Sequence, residues 1–211
     1  MAKKMFVSFV LDETGSMMGV KEQTISGFNE YVDTLKKEAD SKKVRFTLTK
    51  FNSDKVEMVL DSVKMSKVAH LNSETYQPAA LTPLYDAIGQ TIRSLEKNLK
   101  SKKKRAKALV VIQTDGCENH SKEFDRADIF KLINEKKKDG WTFAFLGADQ
   151  DAYAASRKIG IPQGNSMSYA SGFTKEAFSN AAYSTSKYIR NKGKQTPDFF
   201  KKKEESESDP S

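Results

Sequence analysis

Runs of apolar residues that break off at oxygen-bearing side chains alternate along this chain with stretches of helical apolar spacing. Residues 5–11 are apolar except for Ser8, and the run stops at Asp12-Glu13-Thr14-Gly15-Ser16. A run this rich in aromatic and β-branched residues predicts a strand buried on both faces, as in a parallel sheet. Over 20–39, Ile25, Phe28, Val32 and Leu35 recur at helical spacing with Lys and Glu on the other face. Residues 44–51 alternate apolar and polar, Asn52-Ser-Asp-Lys55 follows, and 56–63 is again β-prone. That pairing predicts a hairpin and one antiparallel edge strand. The mixed segment 64–77 supports only a short helix or a loop. Thr82 and Pro83 then suit the N-cap and first position of a helix whose face carries Leu84, Ile88, Ile92, Leu95 and Leu99.

A second buried run, 106–114, ends in Asp115-Gly116. The following helix, 126–138, turns Ile129, Phe130 and Ile133 inward and stops at Asp139-Gly140. Residues 141–146 form a third buried strand, closing on Gly147-Ala-Asp149. A short helix over 152–159 and a Gly/Asn/Ser loop over 160–168 lead to a last helix, 175–190, capped by Thr174 and burying Phe178, Ala181, Tyr188 and Ile189. From Gly193 the chain is polar and charged, so 1–192 is expected to be the domain and 193–211 a disordered tail. Phe199-Phe200 is the exception in that tail, suited to docking on the domain or on a partner. The order of elements describes an α/β fold with a mainly parallel central sheet, one antiparallel edge strand and helices on both faces.

Composition narrows the function. The 211 residues, 37% hydrophobic, suffice for one good-sized core. No apolar stretch approaches the roughly 20 residues of a membrane helix, and a charge comes too early for a signal peptide. Cys117 is the only cysteine, which excludes an internal disulfide and a cysteine-based zinc site; a cytoplasmic protein is expected. Of the net +8 charge, a dense part lies in 100–107, with Lys102, Lys103, Lys104 and Arg105 adjacent. Such a run can contact nucleic acid or an acidic partner, or it is the solvated end of a helix whose dipole favours cations. No aromatic residue is interleaved to stack on bases, which favours the helix end.

The candidate chemistry lies where the strands end. In open α/β sheets, ligands bind beyond the carboxyl ends of the strands. Asp12, Thr14 and Ser16 after the first run, and Asp115 after the second, offer only oxygen, which suits a hard cation such as Mg²⁺. Each also has a purely structural reading: Asp-Gly is a common turn pair, and Thr82 is a complete helix cap. Taken in order, Asp12-x-Thr14-x-Ser16, Thr82 and Asp115 resemble the metal-ion-dependent adhesion site of von Willebrand factor A domains. That family carries Asp-x-Ser-x-Ser after its first strand, a Thr in a later loop and an Asp after its fourth strand. Thr14 replaces the more usual Ser and keeps the hydroxyl. The segments 81–88 and 114–116 are similar to those of intracellular bacterial and phage members, and the likeness spans about 4–190.

The resemblance implies a Rossmann-like fold and a bound Mg²⁺, with Mn²⁺ or Ca²⁺ as alternatives. It implies that Thr14, Ser16 and Thr82 bind the ion directly or nearly so, and Asp12 and Asp115 largely through water. It further implies that a partner protein supplies an Asp or Glu to the open coordination position, the partner being an AAA+ ATPase or part of a larger assembly. Glu13, Met17, Met18, Glu118, Asn119 and Asp149 would then form the rim that meets this partner. The competing enzyme class is a Mg²⁺-dependent phosphohydrolase. It needs a second carboxylate two residues after the first, where this chain has Thr14. No Walker loop, dinucleotide fingerprint or metalloprotease histidine spacing is present. A non-enzymatic binding module is expected.

Overall fold

The structure is a computed structural model that describes residues 4–38, 41–100, 107–149 and 151–200. Lys102, Lys103, Lys104 and Arg105, the proposed basic contact, lie outside the described residues, as does 201–211. The chain runs β1 (Met5–Asp12), α1 (Lys21–Lys37), β2 (Val44–Phe51), β3 (Val56–Lys64), α2 (Leu84–Lys100), β4 (Lys107–Thr114), α3 (Arg126–Lys138), β5 (Thr142–Ala148), α4 (Ala152–Lys158), β6 (Ser166–Tyr169) and α5 (Thr174–Arg190). The strands form one sheet in the order β3-β2-β1-β4-β5-β6. All neighbours pair in parallel except β2 and β3.

Strand β1 shows how the sheet is held. All eight of its residues are buried. The strand period of two sends Val7, Phe9 and Leu11 into one core with α1 and α5, and Phe6 and Val10 into another with α2 and α3. On the first face Phe9 meets Phe28 and Tyr31 edge-on at 5.7 and 5.0 Å and stacks on Phe178 at 5.7 Å. On the second, Ile88 and Ile92 of α2 pack with Val110 and Ile112 of β4 and with Ile129 and Ile133 of α3. Each such fully buried side chain contributes roughly 2 kcal/mol of hydrophobic transfer. The predicted hairpin is present: the Asn52 carboxamide accepts from Asp54 and Lys55 N–H while Asn52 N–H donates to Lys55 O.

Four expectations need correction. Phe130 is 48% exposed rather than buried, because α3 turns only Ile129 and Ile133 inward. The expected loop at 160–168 contains the start of edge strand β6, where Met167 and Tyr169 rest on the first core. Thr174 is the first residue of α5, with Phe173 at the cap position, and its hydroxyl donates to Ser171 O. The segment 193–200, expected to be disordered apart from Phe199-Phe200, packs against the domain. Gly193, in the left-handed region at φ 67°, donates to Tyr188 O and sits where a Cβ would be 2.6 Å from Lys107 Cβ. Phe199 is then 3% exposed, 6.4 Å from the Tyr188 ring, with its N–H on Asn165 Oδ1. Burying that ring outweighs the polar composition around it.

Chain order reverses at β1: the path moves outward to β2 and β3, then returns to β4 on its other side. The carboxyl ends of β1 and β4 therefore border the crevice at the switch point of the sheet, where open α/β folds place their ligands. Asp12 ends β1 and Asp115 follows β4 immediately.

Candidate metal centre

Asp12 is the buried anchor of this crevice. Its Oδ1 accepts Thr14 N–H at 2.8 Å and its Oδ2 accepts the Thr114 hydroxyl at 2.5 Å. Its backbone carbonyl takes the Tyr76 hydroxyl at 2.6 Å. Burial pushes the Asp12 carboxyl up to about 6, against the lowering effect of the Thr114 and Thr14 bonds. Burial out of water disfavours the charged form of a carboxyl. Asp115, partly buried, is likewise raised by burial, while the Ser16 hydroxyl lowers it by donating to Oδ1 at 2.6 Å. The hydroxyls of Ser16 and Thr14 lie 3.2 Å apart. Thr82 closes the ring: a Cβ at Gly116 would lie 3.2 Å from Thr82 Oγ1 and 3.9 Å from Ser16 Oγ. Asp12, Thr14, Ser16, Thr82 and Asp115, drawn from three separate loops, thus converge on one place.

The arrangement frees Thr82 from the capping role its sequence suggests. The first helical bond of α2 runs from Ala87 N–H to Pro83 O, which makes Pro83 the cap position. The open N–H groups of Tyr85 and Asp86 are taken by Glu118 Oε2 and Ser121 Oγ, from the loop after β4. Thr82 N–H donates to Asn119 Oδ1, and Asn119 N–H donates back to Thr82 O. Glu118 and Asn119, expected on the partner rim, are therefore fasteners between two loops of the site.

Of the other expected rim residues, Glu13 and Met17 are buried. Glu13 is buried in an ion pair with Lys50 at 2.7 Å and accepts Gln77 N–H at 2.7 Å. Lys50 also donates to Thr75 O, so the pair ties the 75–79 segment to the end of β1. Met17 is fully buried, turned inward by the 3₁₀ turn Gly15–Val20 so that Gln113 Nε2 lies 3.8 Å from its sulfur. Met18 is 56% exposed and does face outward. Asp149 is exposed, sits at φ 48° with its carboxylate on Ser171 N–H, and lies near enough to raise Asp115 electrostatically.

Sequence reasoning missed several contributors. Thr114, the last residue of β4, holds both Asp12 and Gly116 N–H. Tyr76 comes from the segment whose pattern was mixed. Asp86, nearly buried, accepts three backbone N–H groups, of Lys122, Glu123 and Phe124. Leu81, 49% exposed, projects after Ala80, which is held at φ 63° with its carbonyl on Gly15 N–H. No local signal marks these, save that Thr114 precedes the strand-end Asp.

The donor set tests which ion these residues fit. Among the described residues no group of three His, Cys, Asp or Glu side chains is placed to hold a metal. Two carboxylates and three hydroxyls instead match a hard, oxygen-seeking divalent cation, and exclude a soft-metal site. The Thr14 and Ser16 hydroxyls, which bond one another while Ser16 also donates to Asp115, can turn their lone pairs toward such an ion.

Comparison with known proteins supports the architecture. The sequence matches the family model of the von Willebrand factor type A domain over residues 7–185. No curated protein sequence matches it significantly. Among solved structures it is similar to the vWF domain of the type V pili tip protein Mfa5 from Porphyromonas gingivalis, with TM-score 0.67 and 11% identity over 90% of this chain and 97% of that one. It is also similar to proximal thread matrix protein 1 from the mussel byssus, with TM-score 0.64 and 11% identity over 83% of this chain but only 46% of that one. A third is the manganese-loaded TRAP protein of Plasmodium vivax, with TM-score 0.56 and 16% identity over 83% of this chain and 72% of that one. At such identities the structural likeness speaks to fold alone. The family match covers most of the sequence: the chain belongs to the von Willebrand factor type A domain family.

Proposed function

We propose that this domain is a divalent-metal-dependent protein-binding module, not an enzyme, that grips an acidic side chain of a partner protein. The observation that carries the reading is the convergence of Asp12, Thr14, Ser16, Thr82 and Asp115 at the sheet's switch point, with Asp12 buried. These five residues would hold Mg²⁺, or Mn²⁺ or Ca²⁺ in its place. The bound ion would supply an electrophilic position for a carboxylate oxygen of the partner. The protein's own contribution is orientation: Thr114 and Tyr76 fix Asp12, and the Glu118–Asn119 loop keeps Thr82 uncommitted.

Proteins of similar fold lend support, since they include a pili tip protein and a manganese-loaded protein. Among the described residues no helix is long and apolar enough to cross a membrane. The single free cysteine suits a reducing compartment, so we place the module in the cytoplasm, as in intracellular bacterial or phage members. The test is a calorimetric titration of EDTA-stripped protein with Mn²⁺ and Mg²⁺ beside Asp12→Ala. Saturable binding of a single ion, lost in the variant, is expected. A folded wild-type protein that takes up neither ion, or an Asp12→Ala variant that binds as well, overturns the reading.

A further inference from the structure

We propose that a cleft beside the metal centre receives a bulky apolar side chain from the same partner segment whose carboxylate reaches the metal. This deepens the metal-site reading and rests on it. The cleft, about 210 Å³, is lined by Tyr85, Gly116, Cys117, Phe145, Ala155 and Ile159. Phe145 and Ile159 are buried members of the second core, so the floor is apolar and fixed by β5 and α4. The volume falls below the roughly 300 Å³ at which small-molecule pockets begin and suits one Leu- or Phe-sized side chain.

Gly116 joins the two features. It lines the cleft, and a Cβ built on it would lie 3.2 Å from Thr82 Oγ1 and 3.9 Å from Ser16 Oγ. A ligand spanning both must therefore present its carboxylate and its apolar group close together, as neighbouring residues of one peptide segment do. Lys158 and Glu118 both line the cleft and offset one another, so the charge that favours an acidic segment is the chain's net +8. A desolvated apolar anchor next to a polar one is the usual anatomy of a binding hot spot.

The experiment selects a phage-displayed library of random short peptides on the immobilised full chain, in Mg²⁺ and in EDTA. Mg²⁺-dependent enrichment of Asp or Glu with Leu, Ile, Met or Phe beside it is expected. In a synthetic peptide of the selected sequence, replacing the apolar residue by Ala weakens binding about tenfold or more. Filling the cleft by alkylating Cys117, the sole cysteine, after folding gives the same loss, as does Ala155→Leu from α4. Mn²⁺ affinity, followed by calorimetry, stays unchanged in both. Acidic enrichment without an apolar neighbour, or apolar selectivity that survives both fillings, removes the cleft and leaves the metal reading intact. The absence of any Mg²⁺-dependent acidic enrichment removes both.

Discussion

Helices α2 and α3 begin in opposite ways. The start of α3 is self-sufficient: Asp125 accepts Asp128 N–H at 2.8 Å, and Asp128 accepts Asp125 N–H at 3.1 Å, a capping box closed within four residues of sequence. The start of α2 borrows its acceptors from Glu118 and Ser121, more than thirty residues away, and returns Asp86 to the N–H groups of Lys122, Glu123 and Phe124. The local cap merely starts a helix. The borrowed cap also locks the loop before α2 to the loop after β4, which are the loops that supply Thr82 and Asp115. It satisfies the helix without Thr82, whose hydroxyl then stays beside Ser16 and Gly116. What looks like an uneconomical helix start is thus the device that assembles the site.

Among the described side chains, Asp86 ties the start of α2 to the loop after β4 most firmly. Asp86→Ala leaves three loop N–H groups without their charged acceptor and should cost about 3–5 kcal/mol in urea unfolding. Metal affinity should fall with it, because both loops lose their register. If stability drops by less than about 1 kcal/mol, the two-loop lock is not what holds α2.

Asp12→Asn should act in the other direction. The folded Asp12 carboxyl is raised to about 6, above its ordinary 3.8, so the folded chain holds a proton that the unfolded chain releases. The stability this gives is fully present below about pH 4 and is lost as pH rises through about 6. In EDTA at pH 7 the variant should therefore exceed wild type by about 1–3 kcal/mol, an advantage that vanishes at pH 4. Thermal unfolding across that range measures it, and Mn²⁺ should stabilise only the wild type.

Thr82→Val separates hydroxyl from shape. Because Thr82 caps nothing, stability should stay within about 0.5 kcal/mol, while Mn²⁺ affinity drops about tenfold or more. A stability loss near 1–2 kcal/mol would restore Thr82 to the capping role. Last, Asp125→Ala should remove about 1 kcal/mol and leave calorimetric Mn²⁺ affinity untouched, as a local cap requires. Any loss of metal binding there would mean that the two helix starts are not as independent as their bonds suggest.

Much of the site was legible because its first half is local. An apolar run that ends in Asp12, with oxygen side chains at 14 and 16 and Gly15 between, declares a loop at a strand end wherever the strand sits. Asp115-Gly116 does the same for β4. The rim was poorly legible. Glu13 and Glu118 look like solvent-facing loop acids, but Glu13 meets Lys50 across 37 positions and Glu118 meets Tyr85 across 33. Met17 and Met18 are adjacent and chemically identical. Only the turn Gly15–Val20 decides that one is buried and the other open. The missed strand β6 is four residues long and paired on one side only, too short for its alternation to stand out.

The periods of two and 3.6 residues are properties of neighbouring positions, so the order and type of every element except β6 could be read along the chain. The sequence by itself also determined that every strong strand-end candidate offers oxygen and nothing softer. Which of those oxygens are already spent depends on the folded chain. Thr114 reaches Asp12 across 102 positions and Tyr76 across 64, and such bonds exist only once the strands have been laid side by side. The tertiary structure likewise decided that Phe199 belongs to the core. A lone aromatic pair in a charged segment carries no periodicity, yet a gap between α5, Asn165 and the sheet is filled by burying it.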